Sequence, residues 1–323
     1  MHRGSTPDGH SGAHLLTRRN FLGAALAAAG LGVAAYAGTY ARHEYEISRL
    51  TIPIRNLPDG FEGFRIVQMS DIHLEEYTEP YFLERMVAEV NRMAPDLVLI
   101  TGDFISRGPL ALKKAWQAAG VAAEILSTLK TPQRFGILGN HDVAVGAEHV
   151  IRPAEAHGIP ILIDSYTPLE RGSDVLWLCG ANNASYRTPD LNFAIPANPR
   201  APVIFMCHEP DYVETVIEHP RFPLIDLMLS GHSHGGQIRL PVIGPLILPP
   251  MGQKYVEGIF QFAHMQLYVN RGIGTVELPF RLNCPAELTH YTLTRASDEH
   301  PLSLPARVAH PRARTRSAHP AAR

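Results

Sequence analysis

The segment from Leu229 to Gly236 reads L-S-G-H-S-H-G-G, so one residue separates His232 from His234. Side chains alternate along an extended chain, and both imidazoles would therefore point to the same face. Neutral imidazole is the commonest metal ligand in proteins, and the flanking glycines allow the backbone to turn sharply. By itself the pair fits a solvated loop better than a metal site. A metal site requires further ligands from elsewhere in the chain.

Candidate ligands follow the predicted strands of this chain. They are Asp71 and His73 after residues 64–69, Asp103 after 97–100, Asn140 after 135–138, His208 after 203–207, and His232 and His234 after 225–229. In open α/β sheets, ligands bind just beyond the carboxyl ends of the strands. Each residue alone has a structural explanation, such as a helix cap or a turn. Five strands that all end in this way indicate one shared metal site.

Apolar runs alternate with amphipathic segments between residues 64 and 138. The apolar residues of 82–93 recur at helical spacing, with Thr78 as the expected N-cap and Pro80 in the first turn. A second helix is expected at about 112–129. The order strand, helix, strand, helix, strand is typical of a parallel sheet covered by helices.

The later part of the chain is richer in strands than in helices. Beyond those above, we expect strands at 160–163, 175–179, 265–269 and 288–293, and a helix at 211–218. A second, more antiparallel sheet would account for this change. The sequence therefore predicts an α/β protein in which two mixed β-sheets pack face to face, flanked by helices.

The N-terminal residues 1–37 have the features of an export signal. Residues 17–22 read T-R-R-N-F-L, a twin-arginine pattern, and an Ala/Gly-rich apolar run follows them. Residues 35–37, A-Y-A, form a small-x-small cleavage site. Because the apolar run almost reaches spanning length, an uncleaved signal that anchors the protein is the alternative. We therefore expect export by the twin-arginine machinery to the periplasm, the cell envelope or the outer face of the cytoplasmic membrane.

Composition limits the remaining possibilities. The net charge is −2 without a basic stripe, so the chain lacks the footprint of a nucleic-acid-binding protein. Three cysteines are too few for a disulfide framework, and Cys179 and Cys207 end apolar runs as buried residues would. Residues 296–323 are rich in Pro, Ala, Arg and His, which predicts a disordered tail.

The motifs Asp-x-His, Gly-Asp, Gly-Asn-His-Asp, a lone His and Gly-His-x-His occur in this order over residues 64–234. This set resembles the calcineurin-like metallophosphoesterase superfamily. Beyond it, 252–255 (G-Q-K-Y) and 270–274 (N-R-G-I-G) resemble the exported phosphodiesterase branch of the YkuE/YaeI type. The resemblance implies a four-layer sandwich with the catalytic domain at 64–295, after a lead-in at 38–63.

The resemblance also implies a centre of two divalent metal ions, which would be Mn²⁺, Fe²⁺ or Zn²⁺. One ion would be held by Asp71, His73 and His234, the other by Asn140, His208 and His232, and Asp103 would bridge the two. A bridging carboxylate can keep two ions about 3.5–4 Å apart, and a water between them would become the hydroxide that attacks phosphorus in line.

Three further positions depend on this resemblance. His141 would stabilise the transition state and protonate the leaving oxygen, a role that suits an imidazole because this group titrates near neutral pH. Asp142 would orient the imidazole of His141. Many members of the superfamily carry a second Asp three residues after the bridging one, and here Ser106 stands at that position. This departure puts in doubt a contact that supports a metal ligand, but every expected ligand itself is present.

The resemblance implies a phosphate-ester substrate and favours a phosphodiester, while several alternatives remain open. They are a pyrophosphatase acting on a lipid-linked or nucleotide-sugar substrate, a phosphoprotein phosphatase, and a non-catalytic binding scaffold. Arg107 and Arg271 are candidates to bind a second phosphate charge, with a surface role as the equal alternative. The apolar loop, residues 240–251, would contact acyl chains or a membrane surface if exposed, or else pack over the second sheet.

Overall fold

A computed structural model of the 323-residue chain describes residues 18–74, 77–108 and 112–296. The predicted disordered tail, apart from Ala296, lies outside the described residues, and so does Thr17 of the twin-arginine pattern. The description of Arg18 and Arg19 is limited to their backbone, which is helical.

Strands and helices alternate along most of the described chain. The strands are β1 (Tyr45–Ile54), β2 (Arg65–Met69), β3 (Leu97–Ile100), β4 (Gln133–Gly136), β5 (Ser165–Arg171), β6 (Asp174–Gly180), β7 (Val203–Met206), β8 (Leu227–Ser230), β9 (Arg239–Leu240), β10 (Gly244–Pro245), β11 (Gly258–Phe262), β12 (Met265–Val269) and β13 (Ala286–Arg295). The α-helices are α1 (Arg18–Thr39), α2 (Pro80–Met93), α3 (Leu112–Ser127), α4 (Asn140–Ala144), α5 (Glu148–Ala156), α6 (Leu191–Ala194) and α7 (Val213–Glu218).

Two mixed sheets form the centre of the molecule. The first has the strand order β1-β13-β2-β3-β4, and the second has the order β11-β12-β8-β7-β6-β5. The expectation that the second sheet is more antiparallel is wrong for its middle, because β6, β7, β8 and β12 pair in parallel. Only its edge strands β5 and β11 are antiparallel to their neighbours.

The apolar strands are buried on both faces. In β3, Leu97 and Leu99 contact the cluster between the two sheets, whereas Val98 and Ile100 contact the cluster that includes α2 and α3. A third cluster packs α6 and α7 against the second sheet. Strands covered on both faces are apolar throughout, as L-V-L-I is here. The layers are helices, sheet, sheet and helices, which confirms the predicted fold class.

The start of α2 differs from the expectation. Thr78 is not the N-cap but is buried and forms an isolated bridge with Leu74. The N-cap is Glu79, in an extended conformation (φ −78°, ψ 147°), and Pro80 is the first helical residue. A residue that precedes proline is disfavoured in the helical region, so the helix begins at the proline itself.

Two strand predictions were also inaccurate. Residues 160–163 contribute only an isolated bridge between Ile161 and Gly136. The edge strand of the second sheet is instead β5. The sequence does not predict it, because most of its side chains are at least partly exposed and give a weak apolar pattern. The strand expected at 135–138 begins two residues earlier and pairs with β3 at Gln133–Gly136.

Helix α1 carries the N-terminal apolar run and leaves most of it exposed. The segment Asn20–His43 has a mean hydropathy of 1.7 and is 6% buried, so by length and composition it is able to cross a membrane. The helix joins the rest of the molecule at its end, where Ala37 is buried and its carbonyl accepts a hydrogen bond from the Arg281 N–H (3.1 Å). The following β1 pairs in parallel with β13 as an edge of the first sheet.

Candidate metal centre

The polar residues after β2, β3, β4, β7 and β8 meet at one place. Three groups of possible ligand atoms each lie within 4.8 Å of one another. The groups are Asp71, His73 and His234; Asp103, His208 and His232; and His73, Asp103 and His141. All of these residues are buried except His141, which is half-buried. The strand ends therefore bring the residues singled out in the sequence into one cluster.

The first group is centred on the imidazole of His73. Its Nε2 lies 3.0 Å from Nε2 of His234 and 3.4 Å from Oδ2 of Asp103. Nε2 of His234 in turn lies 3.3 Å from Oδ1 of Asp71. Two imidazole nitrogens and two carboxylate oxygens thus converge on a single small volume.

The second group is centred on His208. Its Nε2 lies 3.3 Å from Oδ2 of Asp103 and 3.2 Å from Oδ1 of Asn140. The Asn140 oxygen is also 2.9 Å from Nδ1 of His232. Oδ2 of Asp103 is within 3.4 Å of both His73 and His208, so this one oxygen is shared by the two groups.

Hydrogen bonds behind the rings fix which nitrogens face the cluster. Nδ1 of His208 donates to the Thr101 carbonyl (2.7 Å), and Nε2 of His232 donates to the Pro250 carbonyl (2.8 Å). When neutral, each ring then presents the lone pair of its other nitrogen to the cluster, which is how metal-binding histidines are usually oriented. His232 therefore faces the cluster with Nδ1, and His208 faces it with Nε2.

Ser106 completes this support for His73. Its Oγ lies 2.9 Å from Nδ1 of His73 and accepts the hydrogen of that nitrogen, which leaves Nε2 free to face the cluster. The contact that the sequence left in doubt at this position is thus supplied by the Ser106 hydroxyl.

Opposite charges and burial act against each other in the cluster. Burial raises the pKa of Asp103, but His208, His141 and His73 overcome this effect and lower that pKa well below its usual range. Burial lowers the pKa of His208, yet Asp103 and Asp71 outweigh it and raise that pKa well above its usual range. Burial dominates at His73, whose pKa is lowered. The carboxylates thus remain anionic and attract positive charge into the cluster.

The donor set fits divalent metal ions. Carboxylate, amide and imidazole donors together suit Mn²⁺, Fe²⁺ or Zn²⁺. The Asn140 oxygen and the Nδ1 lone pair of His232 are both acceptors, and so are the facing nitrogens of His73 and His234 when both rings are neutral. Acceptors at such distances repel one another unless a cation lies between them. The residues present therefore match the ligand requirements of a metal centre.

The backbone is strained at the same positions. Five non-glycine residues of the cluster have a left-handed conformation, with φ between 48° and 71°: Asp71, His73, Asp103, His232 and His234. Such values are uncommon for residues with a Cβ and concentrate at functional sites. The strand ends thus bend abruptly to turn these side chains toward one another.

Two glycines allow the loops to approach closely. A Cβ added at Gly139 would lie 2.0 Å from Oδ1 of Asp103, and one at Gly231 would lie 2.2 Å from Oδ2 of Asp71. Any side chain at these positions would push the carboxylates out of place. Glycine is required at these two positions because the carboxylates occupy the space that a side chain would fill.

His141 lies at the rim of the cluster at the start of α4. Its Nδ1 accepts a hydrogen bond from the Arg107 backbone N–H (2.9 Å), and its own backbone N–H donates to Oδ1 of Asp103 (2.8 Å). The expectation that Asp142 orients this ring is wrong. The carboxylate of Asp142 accepts instead from the backbone N–H groups of Gly139 (2.9 Å) and Ile105 (3.3 Å). Asp142 thus caps α4 and holds the turn that presents Asn140 and His141.

The two candidate arginines lie in different surroundings. The side chain of Arg107 is exposed, and the backbone N–H of the same residue donates to Nδ1 of His141. Arg271 is instead enclosed by carboxylates, since it pairs with Glu46 (2.8 Å), Glu287 (3.3 Å) and Glu257 (4.0 Å). Its charge is matched within the protein, which makes Arg107 the better candidate to meet a substrate.

A buried hydrogen-bond chain behind Asp71 was not anticipated. The Ser70 hydroxyl donates to Oδ2 of Asp71 (2.6 Å) and accepts from Thr101 Oγ1 (2.7 Å), which in turn accepts from Gln68 Nε2 (2.8 Å). Tyr291 donates to the other end of the Gln68 amide (2.5 Å). The signal in the sequence was that polar residues, Ser70 and Thr101, directly follow the apolar strands β2 and β3. Their role is to hold a buried carboxylate in place.

Residues 64–236 match the calcineurin-like phosphoesterase family. The chain belongs to this family. The matched range contains every candidate metal ligand, and it confirms the resemblance seen in the motifs. Membership makes the protein a metallophosphoesterase, a phosphoric ester hydrolase of a family that uses a dinuclear metal site.

Three relatives of this metallophosphoesterase are informative. The uncharacterized metallophosphoesterase YkuE of Bacillus subtilis is 33% identical to it, over 86% of this chain and 98% of that relative. The phosphodiesterase YaeI of Escherichia coli is 29% identical, over 72% of this chain and 82% of that relative. The UDP-2,3-diacylglucosamine pyrophosphatase LpxG of Chlamydia muridarum is 27% identical, over 73% of this chain and 86% of that relative.

The contact of Ser106 with His73 leads to a prediction about metal affinity. Ser106→Ala removes the acceptor behind the His73 ring, and we expect Mn²⁺ affinity to fall by about 10–100-fold. Ser106→Asp should retain or strengthen binding, because a carboxylate accepts the same hydrogen bond. Calorimetric titration of the metal-free protein with Mn²⁺ measures both variants. Ser127→Ala, at the half-buried last residue of α3, is the matched control, and an unchanged affinity in Ser106→Ala would contradict the assigned contact.

Proposed function

We propose that this metallophosphoesterase is an exported phosphodiesterase that depends on two divalent metal ions. The observation that carries the proposal is the division of the ligand atoms into two groups that share one oxygen of Asp103. In this proposal Asp71, His73 and His234 would hold one ion, Asn140, His208 and His232 would hold the other, and Asp103 would serve both. When bound, the ions supply a nucleophilic water at neutral pH and neutralise the phosphoryl oxygens.

His141 is assigned to the leaving group. Because its Nδ1 accepts the Arg107 N–H, the proton of the neutral ring resides on Nε2, where it is available for donation. The ring is half-buried at the rim, so a substrate oxygen can reach it. Imidazole titrates near neutral pH and is therefore suited to protonate the oxygen that departs from phosphorus.

Arg107 is proposed to bind the second ester group of the substrate, which a phosphodiester has and a phosphomonoester lacks. Its exposed side chain directly follows Ser106, and its backbone N–H contacts the His141 ring at the rim of the site. A planar guanidinium pairs well with phosphate oxygens or other acceptors on the second arm of the substrate. We assign Arg271 no contact with substrate, because three carboxylates already surround it.

A pyrophosphatase acting on a lipid-linked or nucleotide-sugar substrate is the second candidate. The relative named UDP-2,3-diacylglucosamine pyrophosphatase supports it, and so does the exposure of the apolar loop beside the metal centre. A non-catalytic scaffold is disfavoured, since all seven ligand positions carry residues able to bind metal. A phosphoprotein phosphatase has no specific support among the described residues.

Hydrolysis of model esters tests the reaction. With added Mn²⁺ we expect bis-p-nitrophenyl phosphate to be cleaved faster than p-nitrophenyl phosphate. His141→Ala should reduce turnover by about 10²–10⁴-fold, because one acid catalyst contributes that much, while metal content stays the same. His157→Ala, at the half-buried C-cap residue of α5, serves as the control. Preference for the monoester would overturn the phosphodiesterase assignment, and loss of metal in His141→Ala would overturn the role of His141.

The export route is proposed from the paired arginines and from α1. We expect Arg18→Lys combined with Arg19→Lys to retain the protein in the cytoplasm, because the twin-arginine machinery reads this pair. Fractionation and immunoblotting of cells that express each form measure the outcome. Arg152→Lys, an exposed position of α5, should be exported normally. Normal export of the double variant would refute this route.

A further inference from the structure

The apolar loop is exposed at its tip. Val242 is 105% exposed, Ile243 70%, Leu246 51% and Ile247 63%. The segment 240–251 contains no charged residue. Strands β9 and β10 pair within it as a short hairpin, so the apolar side chains are displayed on a defined structure. Large apolar side chains gathered in one exposed place mark a surface that contacts a partner or a membrane.

The apolar loop begins and ends at the metal centre. It is separated from His234 only by the turn at 235–239. On its return, the Pro250 carbonyl accepts the hydrogen bond from Nε2 of His232. Both ends of the apolar loop are therefore connected to the metal centre, through His234 on one side and His232 on the other.

The base of the apolar loop is connected to α1. Nε2 of Gln237 donates to the carbonyls of Val276 (3.1 Å) and Leu278 (3.0 Å), and a few residues later the Arg281 N–H donates to the Ala37 carbonyl. Leu278 is itself 42% exposed. The end of the membrane-compatible helix and the base of the loop thus pack on the same segment, 276–281.

The backbone of the apolar loop is suited to a lipid surface. Four of its residues are prolines, which have no N–H to leave unsatisfied: Pro241, Pro245, Pro249 and Pro250. The N–H groups of Ile243 and Leu246 donate within the hairpin, to the carbonyls of Pro241 (2.8 Å) and Ile238 (3.1 Å). The prolines and these two bonds reduce the number of free donors, which lowers the cost of placing the backbone among lipid headgroups and acyl chains.

We propose that α1 is retained as a membrane anchor, that the apolar loop inserts into the bilayer surface beside it, and that the metal centre receives phosphate esters of membrane lipids. This inference rests on the proposed function and names its substrate class. Two attachments, one helix and one inserted loop, hold an enzyme at a fixed orientation on a membrane. A lipid phosphate would then reach the rim at Arg107 and His141 while its acyl chains stay in the bilayer.

Site-specific fluorescence tests insertion on the full chain. All three native cysteines are buried, so Ile243→Cys can be labelled selectively with an environment-sensitive fluorophore. In vesicles of phosphatidylglycerol and phosphatidylcholine, we expect a blue shift and quenching by lipids that carry a nitroxide on the acyl chain. Phe193→Cys, whose parent residue is 69% exposed on α6, is the control and should show neither. No quenching at position 243 would overturn the proposal, and so would a blue shift that depends on protein concentration, which indicates a second copy as the occupant.

A substrate comparison tests the consequence for activity. The double variant Ile243→Asp, Ile247→Asp should cleave bis-p-nitrophenyl phosphate at the wild-type rate. Its cleavage of a phospholipid diester in vesicles should fall by about tenfold or more, since burial of each apolar side chain is lost. Equal rates for variant and wild type on the vesicle substrate would overturn the inference. If the wild type cleaves no ester at all, the proposed function fails, whereas the quenching result still decides insertion.

Discussion

Asp71 and Asp103 place two buried carboxylates next to each other, and the surrounding structure depends on compensating their charge. An uncompensated buried carboxylate is costly, and such groups persist only when paired with positive charge or metal. Imidazoles of His73, His208 and His234 lie within 3.9 Å of these carboxylates, and backbone N–H groups satisfy further lone pairs. Divalent cations would complete this compensation, and the same charge would activate a phosphate ester.

This electrostatic requirement explains the shape of the strand ends. The apolar strands could end in ordinary turns, yet five ligand candidates adopt left-handed backbone conformations. The strain is maintained because the parallel strands fix the positions of the loops and because Gly139 and Gly231 leave room for the carboxylates. The two packed sheets thus act as a rigid frame, and the apolar loop is the part of the site that faces outward. Rigid frames are what allow catalytic groups to keep their geometry.

The sequence was informative where strong apolar runs met polar residues. It predicted the two-sheet architecture and every residue of the cluster, because Asp71, Asp103 and His208 each follow a short run of buried aliphatic residues. It failed where contacts depend on the backbone or on distant partners. The contact of Asp142 with the Ile105 N–H and the Pro250 carbonyl that orients His232 join residues far apart in the sequence and have no local signature. The sequence does not predict strand β5, because an edge strand with exposed side chains lacks the apolar alternation by which strands are recognised.

The division of the histidine pair between two metal ions is tested most directly by anomalous diffraction at the manganese edge from crystals of the full chain grown with Mn²⁺. We predict two peaks about 3.5–4 Å apart, the spacing of a two-metal hydrolytic centre. One peak should contact His234 with Asp71 and His73, the other should contact His232 with His208, and Asp103 should contact both. A single peak bound by both His232 and His234 would contradict the shared dinuclear centre.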